Sequence, residues 1–141
     1  MRIVDGILKS NLFSMGDDCP PFMQRWTVVP AFISRLFGCD VFLHRFIRSD
    51  YAQDMHDHVA RFISIGVRGR YVELTPDGEM EWRAPWIRTF PANHVHTIKL
   101  YPNETAWTMV IIFRLKRKEW GFWKDGAWIH WRKYLRQNKC D

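Results

Sequence analysis

Short β-type runs separated by turn residues fill the chain from Arg25 to Trp131, and no stretch holds a helical period long enough to build a helix-based core. Val41-Phe42-Leu43-His44-Arg45-Phe46-Ile47-Arg48 is dense in β-branched and aromatic side chains, as are residues 61–73, 86–90, 96–100 and 107–115. Thr75-Pro76-Asp77-Gly78 supplies the positive backbone angles of a tight hairpin, and Lys124-Asp125-Gly126 repeats the signal between residues 120–123 and 127–131. Pro30 stops the run Arg25-Trp26-Thr27-Val28-Val29, which predicts an edge strand. Residues 31–37 fit one or two helical turns before Gly38, and residues 133–138 fit a last one. Gly66 and Gly69 permit a bend or bulge in the run over residues 61–73. The pattern predicts an all-β sandwich or small antiparallel barrel as a single domain over residues 24–141. An irregular lead-in over residues 1–23, broken by Pro20-Pro21, precedes it.

The six histidines are not spread evenly. His56 and His58 fall in Met55-His56-Asp57-His58, and His94 and His96 in Pro91-Ala92-Asn93-His94-Val95-His96. In an extended strand side chains alternate faces, so His56 and His58 present neighbouring imidazoles on one side, and the second cluster is where further metal ligands must come from. His44, between Phe42 and Phe46 on one strand face, reads as a hydrogen-bonded core or cavity histidine. His94 reads as a pocket or turn residue rather than a fourth ligand, because the segment from Pro91 to His96 has the character of a turn, where alternation fails. Asp54 alternates in phase with His56 and could bring a carboxylate to the same face, although a solvated turn acid is the favoured reading. His130 lies among tryptophans and is expected to pack. Arg45, Arg48, Arg61, Arg68, Arg70 and Arg88 sit on or beside strands, where a guanidinium facing the pocket could grip an anion in two-toothed fashion, and Arg45 is taken as the candidate pocket residue.

Charge and cysteine narrow the setting. From Arg114 onward there are nine Lys or Arg against three acids, which accounts for the whole formal net charge of +6. Interleaved with Trp120, Phe122, Trp123, Trp128, Trp131 and Tyr134, this segment could contact a nucleic acid backbone; a solvated basic face with its aromatics turned inward is the favoured reading. Cys19, Cys39 and Cys140 are an odd number at no metal or redox spacing, so no disulfide framework and a reducing, cytoplasmic setting are expected. The first residues lack the long apolar run of a signal peptide or a membrane span.

The two histidine words carry a resemblance. The chain resembles the cupin superfamily, small antiparallel β-barrels of the jelly-roll type with a first motif G(x)5HxH(x)3-4E(x)6G and a second, PxGxxH(x)3N. His56 and His58 match the HxH, and Gly69 the closing glycine of the first motif; Pro91 and His96 keep the spacing of the second. Asn93 stands for the motif glycine, a mild change, since asparagine visits the left-handed region readily. Asp50 and Leu100 stand where a glycine and an asparagine are usual, and Phe62 falls on the glutamate position. The stretches over residues 43–50, 119–123 and 129–132 are similar to those of small single-domain cupins of bacteria and their phages.

The resemblance implies His56, His58 and His96 as ligands of one divalent transition metal, with the glutamate ligand missing and Phe62 lining a more apolar pocket. Fe(II) is favoured, with Zn, Ni, Mn or Cu as alternatives. Loss of the glutamate resembles the three-histidine oxygenases of the superfamily. The expected function is a metal-dependent cupin enzyme, dioxygenase-like, acting on a small anionic molecule, from a homodimer. The alternatives are a non-catalytic cupin that binds, senses or sequesters a small ligand, and a cupin isomerase or lyase. Neither a membrane nor a nucleic acid is an expected partner.

Overall fold

The computed structural model of the chain describes residues 10–14, 19–49 and 54–138. In chain order its elements are β1 (Ser10–Phe13), β2 (Met23–Thr27), α1 (Ala31–Phe37), β3 (Cys39–Phe46), β4 (Met55–His56), β5 (Phe62–Arg68), β6 (Arg70–Thr75), β7 (Gly78–Arg83), β8 (Trp86–Phe90), β9 (Thr97–Lys99), β10 (Ala106–Phe113), β11 (Gly121–Lys124), β12 (Ala127–His130) and α2 (Trp131–Gln137). Six strands in the order β1-β2-β3-β10-β5-β8 make one antiparallel sheet. The facing layer consists of two three-stranded sheets, β12-β11-β4 and β7-β6-β9. A backbone bridge joins them: the His56 amide donates to the His96 carbonyl at 2.9 Å, and the His96 amide to the His56 carbonyl at 3.1 Å.

Alternation along β10 shows how the sequence sets the two faces. Ala106, Thr108 and Val110 are buried, while the intervening Trp107, Met109 and Ile111 turn to the outer face. Their partners on β3 and β5 follow the same register, so His44 and Ser64 point inward with Thr108 and Val110. Phe22, Met23, Phe46, Tyr71, Trp86, Ile98 and Phe122 form the main core between the layers.

Three features differ from the expectations. Residues 10–13 are a strand, β1, paired in register with β2 over Ser10↔Trp26 to Phe13↔Met23, where an irregular lead-in was expected. Its partner edge on β2 is otherwise open, and Phe13 packs against the core. Residues 61–73 are two strands of different sheets, divided at Gly69, whose φ of +85° is accessible to glycine without strain. Cys19 is buried and disulfide-bonded, while Cys39 is free. An odd count still leaves room for one bridge, so the ground for inferring a reducing compartment falls away. Asp50 and Cys140 lie outside the described residues. No helix among the described residues is long and apolar enough to cross a membrane.

Candidate metal centre

β4 is only two residues long, yet the alternation it starts continues past its end. His56 and His58 turn to the interior with ring centroids 5.2 Å apart, and Asp57 between them turns the other way. The Asp57 carboxylate is buried and accepts bonds from Lys118 Nζ at 2.9 Å, the Gly121 amide at 2.8 Å and Trp128 Nε1 at 3.2 Å. One residue thereby fixes both sides of the strand: its neighbours face the cavity, and it bolts the β11–β12 hairpin behind them.

His96 arrives from the opposite direction, beside His56 across the backbone bridge. Side-chain nitrogens of His56, His58 and His96 lie within 4.8 Å of one another. The hydrogen bonds around them assign the protons. His58 Nδ1 donates to the His94 carbonyl at 3.0 Å, and His96 Nδ1 donates to Glu73 Oε1 at 2.7 Å. With Nδ1 carrying the hydrogen in each ring, both Nε2 atoms are bare lone pairs, and they face each other at 3.1 Å. Two acceptors at that distance repel unless a cation sits beside them. His56 adds a buried Nδ1 with no hydrogen-bond partner. This donor set fits a divalent transition metal.

The electrostatics agree. Burial, then the charge of neighbouring histidines, pushes His56 and His58 well below the ordinary value of 6.5, so both are neutral lone-pair donors at neutral pH. Burial also lowers His96, against the pull of Glu73. Glu73 is itself buried at 2% exposure. Burial opposes its ionisation, but hydrogen bonds from His94, His96 and Arg88 outweigh that and hold the carboxyl well below the usual range. Glu73 Oε2 accepts from Arg88 at 2.8 Å and from Trp82 Nε1 at 3.1 Å, while His94 Nε2 joins His96 on Oε1 at 2.8 Å. Glu73, His94 and His96 also form a compact group. Direct hydrogen bonds of 2.7 and 2.8 Å already fill it, and Arg88 balances its charge. Glu73 is therefore placed behind His96, setting its tautomer and ring orientation.

The histidines open onto a cavity of about 440 Å3 lined mainly by Phe13, Phe22, Phe46, Phe62, Phe90, Ile98 and Val110. Trp120 and Trp131, stacked at 5.7 Å, also line it.

The backbone superposes on a cupin-2 domain from Rhodospirillum rubrum with a TM-score of 0.66 at 8% identity, over 84% of this chain and 76% of that one. A cupin 2 conserved barrel domain protein from Rhodopseudomonas palustris gives 0.65 at 8% identity, over 84% and 79%. The fold is that of the cupins. A cupin-superfamily sugar phosphate isomerase from Silicibacter pomeroyi shares the cupin fold at a TM-score of 0.59 and 15% identity, over 84% and 78%. Likeness at these identities concerns the barrel and leaves the chemistry open. No family model matches the sequence, and no curated protein does.

Within the cupin barrel the residues singled out from sequence fall as follows. Phe62 lines the cavity, its ring 4.6 Å from that of His58 and stacked at 4.8 Å on Phe90, so an aromatic face occupies the glutamate position. His44 lines the same cavity. His94 sits in the turn, its amide bonded to the Pro91 carbonyl, and supports the centre from behind through Glu73 and through its own carbonyl. Asp54 accepts from the Tyr134 hydroxyl at 2.9 Å and does not line the cavity. Arg45 points to the outer face and lines a separate surface pocket with Arg68, Glu104 and Trp107. His130 bonds Glu119 at 2.6 Å beside Trp128 and Trp131. In the basic segment Trp120, Phe122, Trp131 and Tyr134 turn inward, whereas Trp123 and Trp128 are exposed at 44% and 39%. Arg114 and Arg117 pair with Asp40, and Lys118 with Asp57, so three of its cations already hold carboxylates.

Sequence reasoning missed Glu73 and Arg25. Glu73 shares its strand face with the buried Tyr71 two residues earlier, the period-2 signal that could have revealed an inward carboxylate. Arg25 lies opposite His44 in register, so a histidine judged to face a cavity carries its neighbour inward too.

Proposed function

We propose that this protein is a metal-dependent cupin enzyme that acts on a small anionic molecule through His56, His58 and His96, with oxygenation as its reaction. The observation that carries this reading is the facing pair of bare Nε2 atoms on His58 and His96, each fixed by a committed Nδ1. Three neutral imidazoles would hold a divalent metal, Fe(II) first among Fe, Zn, Ni, Mn and Cu, and leave coordination positions for substrate and dioxygen. The chain's own part is to present those nitrogens deprotonated, to hold His96 through Glu73, and to exclude water with Phe62, Phe90, Trp120 and Trp131.

Isomerase or lyase chemistry would need a general base in the cavity. Among the described lining residues, the Asp57 carboxylate turns away from the histidines and is saturated by three donors, His44 accepts from Arg25, and Tyr71 offers a phenol rather than a carboxylate or imidazole. The shortage of a free base favours oxygenation, or else non-catalytic capture, over proton transfer. Oxygen consumption by the Fe(II)-loaded chain, followed with a panel of small carboxylates, separates these two. Substrate-dependent uptake with altered product supports the oxygenase, and a ligand returned unchanged without uptake supports capture.

The proposal extends to a homodimer. Trp26, Leu43, Met109, Ile65 and Ile87 form one row across the outer face of the six-stranded sheet, an apolar surface suited to a second copy.

A further inference from the structure

The cavity beside the three histidines holds a second polar row that the metal centre does not use. Strand register places Arg25 on β2 opposite His44 on β3, and His44 opposite Thr108 on β10. All three line the cavity. The Arg25 guanidinium lies over Phe13 at 4.7 Å and Phe42 at 4.5 Å, and Nε donates to His44 Nε2 at 2.9 Å. Among the described residues no carboxylate pairs with it. That one bond turns the flat fork and leaves its two terminal nitrogens for a ligand. His44 is neutral, since burial and then the Arg25 charge push it well below 6.5, so it orients the guanidinium without balancing its charge. Burial lowers Arg25 itself only to about 10, which keeps it protonated at neutral pH. Thr108 is 1% exposed, and its Oγ1 is buried without a hydrogen-bond partner. A sequestered cation with no counter-ion among the described residues and an orphaned hydroxyl in one row both raise the free energy of the cavity, and an anion between them would relieve both.

We propose that Arg25 and Thr108 bind the carboxylate head of an amphipathic monocarboxylate, with His44 as a positioning residue. The proposal rests on the reading of the cavity as a site for a small anion and narrows that reading to a chemical class. A carboxylate meets a guanidinium with two parallel bonds and has lone pairs left for a hydroxyl. In the metal-free cavity one positive charge balances a monoanion, whereas a phosphate ester dianion would keep uncompensated charge among Phe13, Phe46 and Val110. The same rings select an apolar body behind the head.

Calorimetric titration of the metal-stripped full chain with 3-phenylpropionate, its neutral amide and phenyl phosphate tests the anchor independently of the metal. The expected result is saturable carboxylate binding, weaker by about tenfold or more for the amide and in Arg25→Gln, and by about threefold or more in Thr108→Val. Should Arg25→Gln fail to fold, the near-isosteric Thr108→Val and the amide comparison decide. Equal binding of acid and amide, no loss in the folded variants, a preference for phenyl phosphate, or no binding by the folded parent would overturn the proposal. A parent that binds the carboxylate but takes up no metal would overturn the enzyme reading and leave the anchor standing.

Discussion

His58 and His96 each donate Nδ1–H to an oxygen, the His94 carbonyl and the Glu73 carboxylate, and this leaves two lone pairs aimed at one point. Glu73→Gln keeps the shape but removes the charge that orients His96 and balances Arg88. Metal affinity is expected to fall about 10- to 100-fold, read by chelator competition. Stability should drop by about 3 kcal/mol, because Arg88 loses its partner, and unchanged urea unfolding would contradict this. Acid should act in the same direction. His44, His56 and His58 sit below 6.5 in the folded chain, so the unfolded chain binds protons there that the native one refuses. Stability of the metal-free protein therefore falls as pH drops below about 6.5. Glu73, also depressed, contributes stability above its ordinary value of 4.5 that is lost as pH falls further through its folded value. Urea midpoints at pH 7.5 and 5.5 check the sign, and an equal or higher midpoint at 5.5 would refute it. The histidine pair was legible in sequence because alternation needs only two residues. Glu73 was not, since the motif spacing led to Phe62, and the carboxylate comes instead from β6, beyond the Gly69 break.

At the scale of elements, the Asp57 carboxylate links β4 to the β11–β12 hairpin that brings Trp120 over the cavity. Asp57→Ala strands three donors and should cost about 2–4 kcal/mol, with amide exchange rising across residues 121–130 ahead of the large sheet. Uniform exchange across both would show that the hairpin does not depend on Asp57. Hairpins announced by Asp77-Gly78 and Asp125-Gly126 were legible, as was the helix closed by Gly38 at φ +68°. β1 was not, because Ser10–Phe13 is four residues long, shows no apolar/polar alternation, and is a strand by virtue of pairing with β2. Which face Arg25 takes also escaped the sequence. The register of β2 on β3 turns Arg25 inward and sends Trp26 out to stack on Trp107.

For the whole molecule, an all-β sandwich or barrel followed from the rhythm of strands and turns and the jelly-roll type from the cupin resemblance, but the joining of two sheets through the His56–His96 bridge depends on long-range pairing that no local pattern carries. Ile87, 76% exposed in the apolar row of the outer face, tests the proposed dimer: Ile87→Lys should shift the mass in light scattering to that of one chain without changing the melting profile of the barrel. A parent already monomeric at high concentration would contradict it. The most direct test of the metal centre is elemental analysis of the purified chain beside His56→Ala/His96→Ala. The account predicts about one equivalent of a divalent transition metal in the parent and none in the variant. A parent that carries no metal and refuses added iron, zinc and nickel would contradict it.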